Sequence, residues 1–89
     1  MGFYNIAIYD KFEEKISAEI ALIKLDLRRW REAYCKAFDE DNNYCQINEK
    51  TVSCYEVERI IRKLEGKISG LNTALEIVSK EKLDEVTCL

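Results

Sequence analysis

Seven apolar residues, Ile16, Ile20, Ile23, Leu27, Trp30, Tyr34 and Ala37, follow one another at alternating steps of four and three. Seven more, Val57, Ile61, Leu64, Ile68, Leu71, Leu75 and Val78, repeat that rhythm after a gap. Such spacing keeps one stripe of an α-helix apolar along its length. Each run therefore predicts a helix packed along another helix. The chain contains no Pro, so neither run is interrupted by a residue that lacks an N–H and clashes with the preceding turn. Two seams of matching length, joined by a short connector, predict a mainly α fold built on a long antiparallel helical hairpin.

End signals place the helices at about residues 11–38 and about residues 54–82. Asp10 opens "DKFE", an Asp-x-x-Glu capping box, although the first helix could begin as early as residue 6. Its charges follow the macrodipole, with Glu13 and Glu14 early and Arg28, Arg29, Arg31 and Lys36 late. The run "DEDNN", residues 39–43, stops it, because acidic side chains are unfavourable at a helix C-terminus and Asn tolerates the left-handed conformation. Ser53 with Glu56 forms a second capping box. Gly66 and Gly70 fall inside the second helix, each costing about 1 kcal/mol against Ala, and are expected to permit close approach of a neighbouring element. Each arm should be roughly 40 Å long. Residues 1–9, "MGFYNIAIY", read either as an N-terminal arm or as a helix extension, and residues 83–89 as a frayed tail.

The connector carries a different period. In "YCQINEKTVSC", residues 44–54, a two-residue turn on Asn48 and Glu49 pairs Ile47 with Lys50, Gln46 with Thr51 and Cys45 with Val52. Alternation then puts Cys45, Ile47, Val52 and Cys54 on one face and Tyr44, Gln46, Thr51 and Ser53 on the other. This predicts a short β-hairpin over about 44–53, with its apolar face on a helix end. A type I′ turn prefers Asn-Gly, so Glu49 must take a positive φ or the loop must widen.

Eighty-nine residues form one small domain, near the lower limit for an independent core. With 47% hydrophobic and 35% charged residues the chain is neither disordered nor membrane-spanning, and it shows no signal-peptide pattern. A cytoplasmic location is expected. A net charge of −3 disfavours a general nucleic-acid binder. The absence of His removes the commonest general base and metal ligand. Cys35, Cys45 and Cys54 are spaced by ten and nine residues with no C-x-x-C pair, so no zinc site and no cofactor are expected. The thiols are expected to be free, acting as small buried hydrophobes. A Cys45–Cys54 disulfide looks awkward, being offset by about two residues across the ribbon.

The segment "YCQINEKTVSCYEVERIIRKLE" resembles a pattern of small tailed-phage and prophage proteins of the W-type head-completion, or head–tail joining, kind. There a helix is followed by a Tyr-x-Ile-Asn-Gly-Arg/Lys-x-Val hairpin, a Ser/Thr cap and a second helix. Ile47, Asn48, Lys50, Val52, Ser53, Glu56 and Val57 fit it, over about a quarter of the chain. Glu49 stands where Gly is usual, and the acidic "EKLDEV" replaces a basic tail. The resemblance implies a structural assembly adaptor, in host cytoplasm or virion.

Two surfaces stand out. Arg28, Arg29 and Arg31 around Trp30, with Lys36, form a basic cluster suited to an acidic partner. The favoured reading is that Trp30 is a seam residue and that Arg28 pairs with Glu32 at i,i+4 on a solvated flank. Beside the seams lie surplus apolar residues: Ala18, Ala21, Leu22 and Leu25 in the first helix, Ile60, Ala74 and Ile77 in the second. A two-helix hairpin cannot bury these itself, so a homo-oligomer or docking on a larger protein assembly is expected. Without a base, a Gly-rich phosphate loop or paired carboxylates, enzymatic function is not expected. The alternative is a small helical binding module that inhibits or regulates a host macromolecule. A nucleic-acid role for the basic cluster ranks third.

Overall fold

The first seam forms α1, Gly2–Asp39, and the second forms α2, Cys54–Thr87; between them β1, Tyr44–Ile47, and β2, Lys50–Ser53, pair antiparallel. A computed structural model describes the backbone of residues 2–87 and the side chains of residues 6–85 and 87. All fourteen seam residues are buried or half-buried, and the two helices lie against each other along their length. The helix–hairpin–helix architecture is thus the one that the two periodicities require.

Both helices are longer than their capping signals suggest. The first starts at Gly2, so Asp10 lies inside the helix and caps nothing, and residues 2–9 extend the helix and form no separate arm. The second ends at Thr87, so residues 83–87 are helical where a frayed tail was expected. Met1, Cys88 and Leu89 lie outside the described residues. The physical reason is that the seam does not stop at Ile16. Stepping back by three and four gives Glu13, Tyr9 and Ile6; stepping forward from Val78 gives Lys82 and Glu85. All five are half-buried. A local Asp-x-x-Glu signal is worth about 1 kcal/mol and yields to continued burial of the stripe. The 38 residues of α1 span roughly 57 Å at 1.5 Å per residue, against a longest dimension of 60 Å for the molecule.

The ribbon has the register its alternation dictates: Cys45 opposite Val52, Gln46 opposite Thr51 and Ile47 opposite Lys50. At the turn Asn48 has φ 47° and Glu49 φ 64°, so both take the left-handed conformation of a type I′ turn, and the loop does not widen. Entry into the ribbon is equally specific. Asp41, at φ 52°, ends α1. Its N–H donates to Phe38 O at 3.1 Å and the Asn42 N–H donates to Ala37 O at 2.8 Å, the paired bonds of a Schellman C-cap. Asn42 Oδ1 then accepts from the Tyr44 N–H at 3.1 Å. At the exit, Ser53 Oγ accepts from the Glu56 N–H at 3.2 Å and caps α2.

The core sits at this end. Ala37, Cys45 and Val57 form a buried cluster, with Trp30, Ala33, Tyr34, Val52, Cys54 and Ile61 packed on it. Further along the rod, the buried residues among those described are single seam positions, Ile20, Leu27 and Leu64. Gly66 and Gly70 do not admit a neighbouring element within the chain, contrary to the expectation from sequence: a Cβ at either would meet nothing within 4 Å.

Candidate interaction surface

The four basic residues of the "RRWR" region do not form one patch. Trp30 points to the core cluster and is half-buried, as a seam residue must be. A helix turns its neighbours to different sides, so the charges flanking it separate. Arg28 pairs with Glu32 at 3.2 Å, one turn on in the same helix, and Arg31 reaches across to Glu65 of α2 at 3.5 Å. These two, with Lys24, rim an open groove of about 870 Å³ between the helices, floored by Leu27 and Ile68 and bounded on the α2 side by Glu65 and Glu76. Arg29 and Lys36 instead flank a small depression against the ribbon, beside Gln46, Ile47 and Asn48. With Glu32 beside the basic residues on the α1 rim and Glu65 and Glu76 opposite, the groove mixes both signs and does not present the single-sign field that a phosphate backbone selects.

The surplus apolar residues are exposed, but not all where sequence suggested. Ala18, Ala21, Leu22 and Leu25 lie on the side of α1 turned away from α2, with Leu22 62% and Leu25 57% exposed. On α2, Ile77 is 58% exposed on the outer side, whereas Ile60 and Ala74 are half-covered. Ile8 and Phe12 add further exposed apolar surface near the open end of the rod.

At that open end the structure assembles a feature that the sequence reading missed. Lys82 Nζ lies 2.5 Å from Asp10 Oδ1 and 3.4 Å from Glu13 Oε1. Glu13 and Lys82 both occupy seam positions, so a charged pair stands where apolar residues would otherwise meet. Glu13 Oε1 is shielded from solvent, with the Lys82 ammonium as its nearest cation. The hydrogen bond that the Lys82 ammonium donates to Asp10 is the main cause of a raised Lys82 pKa. Continuing the four-three count through Glu13 and Lys82 would have revealed the pair.

At the other end, Cys45 and Cys54 approach to 3.5 Å between sulfurs, both as free thiols. The two-residue offset that made this pairing look awkward does not keep them apart, because Cys54 is the first residue of α2 and its side chain lies against Cys45 of β1. Cys54 Sγ also lies 3.4 Å from Asn42 O. Burial first, then the hydrogen bond and charge of Cys54, push the Cys45 thiol up from 9.0 to about 11. Cys35 is exposed on α1 at the edge of the groove. Among the described residues no three His, Cys, Asp or Glu side chains converge as metal ligands, and no helix is long and apolar enough to cross a membrane. No family model matches the chain, and no curated protein or solved structure matches it significantly.

Proposed function

We propose that the chain is a non-enzymatic assembly adaptor, a rod that associates with copies of itself or docks on a larger protein assembly. The observation that supports this most is the exposure of Leu22, Leu25 and Ile77 on the outer sides of the two helices. Each helix then has apolar surface both toward its partner and away from it. That is the pattern of a helix with neighbours on two sides, and a two-helix rod supplies only one of them. Its ribbon, with the matching residues Ile47, Asn48, Lys50 and Val52, gives the phage head–tail adaptor as the assembly type that the resemblance favours.

Light scattering with analytical ultracentrifugation tests the reading. The expected outcome is concentration-dependent association of the full chain, reduced at least tenfold in affinity by L22E/L25E, with helical content retained. A strict monomer at tens of micromolar that also fails to bind any purified head or tail assembly would sink it. A second reading, occlusion of a host macromolecule, draws on the exposed Arg29 and Lys36 beside the ribbon. It predicts a hetero-complex weakened by R29A/K36A, and unchanged binding of that variant would remove it.

A further inference from the structure

We propose that Cys45 and Cys54 are a dithiol site, closed to an intramolecular disulfide by exchange with a disulfide oxidant of the glutathione class. The site stands apart from the assembly reading and does not depend on it. Three observations converge. The sulfurs are already in contact at 3.5 Å, so a bond of about 2.05 Å requires them to close by about 1.5 Å. Second, Cys54 follows immediately after the ladder, which ends at Tyr44 opposite Ser53. Its N–H donates to Asn43 O at 2.8 Å, so backbone on both sides of the closing ring is held in place. The third is an unequal exposure: Cys45 is 1% exposed, whereas Cys54 is half-buried and reachable.

The unequal exposure sets the order of events. The Cys54 thiolate attacks one sulfur of oxidised glutathione, forming a mixed disulfide and releasing one glutathione thiolate. Cys45 then loses its proton to solvent and attacks Cys54 Sγ, releasing the second glutathione thiolate. Two protein thiols and one small disulfide become one protein disulfide and two glutathione thiols, so electrons and protons balance. Burial alone still raises the Cys45 thiol once Cys54 is capped by glutathione, so its deprotonation is the slow part of the second step at neutral pH. Once formed, the bond ties β1 to the first turn of α2 and fixes the base of the ribbon.

The test uses the full chain carrying C35S and C88S, so that only this pair remains, incubated with oxidised glutathione, acid-quenched, alkylated and read by intact mass and peptide mapping. The expected product is lighter by two hydrogens, carries no glutathione, joins the Cys45 and Cys54 peptides, and unfolds at a higher urea midpoint than the reduced form. The transient glutathione adduct should sit on Cys54, and its lifetime should shorten as pH rises, about tenfold per unit while Cys45 remains mostly protonated. Adding C45S should leave that adduct stable. A persistent glutathione adduct with Cys45 present, or two thiols that remain alkylatable throughout, would overturn the proposal.

Discussion

Val57 is the residue on which the ribbon end turns. It is 0% exposed and packs with Ala37 and Cys45, bringing α1, β1 and α2 together at one side chain. Val57→Ala removes two buried carbons from a place where three elements meet and cannot all collapse inward. A loss of about 2–3 kcal/mol is expected in urea unfolding. Leu22→Ala, by contrast, should change the stability of the isolated chain by less than about 0.5 kcal/mol, because Leu22 faces water. Its effect should fall on association alone. Val57 was legible from the seam spacing, and the ribbon register was legible because one residue of slip would have turned Cys45 and Val52 to solvent. The meeting of Cys45 with Cys54 was not. Alternation tells which residues share a face within a ribbon, and Cys54 already belongs to α2, where that rule no longer fixes the direction of its side chain.

At the scale of elements, the helix ends show where local signals lose to repetition. Asp10 with Glu13 has the spacing of a cap, and the same two carboxylates serve instead to hold Lys82 of the facing helix. A capping rule applied residue by residue could not see this, because it does not ask whether the stripe continues through a charged position. Seam charges of this kind trade stability for register. Replacing either partner alone should lower the melting temperature, by leaving the other charge half-buried. The double variant E13L/K82L should match or exceed the parent and associate less selectively, as read by melting and sedimentation. The pH response has a definite sign. The folded-state pKa of Lys82 is raised from 10.5, so its contribution is complete below that value and is lost as pH climbs through the raised one. Cys45 acts in the same direction but earlier, between 9.0 and about 11, so the double variant should keep only that first decline on alkaline melting. Gly66 and Gly70 are the other unforced positions. An added methyl group meets nothing and neither residue has positive φ, so Gly66→Ala and Gly70→Ala should each stabilise the chain by about 1 kcal/mol in thermal unfolding.

Over the whole molecule, shape governs what the core can be. The radius of gyration is 18.6 Å, whereas a globule of this length would have about 12 Å. A rod 60 Å long and under 20 Å wide puts most side chains within reach of water, which is why, among the described residues, the cluster of buried ones gathers at the ribbon end. Protection against amide hydrogen exchange should follow that gradient. It should be highest in residues 33–37, 45–52 and 57–64 and fall steadily toward residues 6–16 and 76–85. Uniform protection along both helices in dilute protein would mean that the open end is covered by another chain.

The concentration of tight packing beside the ribbon has a further consequence. Paired heptads taken from the middle of the rod, between the ribbon cluster and the contact of Lys82 with Asp10 and Glu13, would shorten both arms together and leave both contacts in place. Length in such a molecule is adjustable by insertion or deletion along its middle, much as a carpenter shortens a dowel between its two joints.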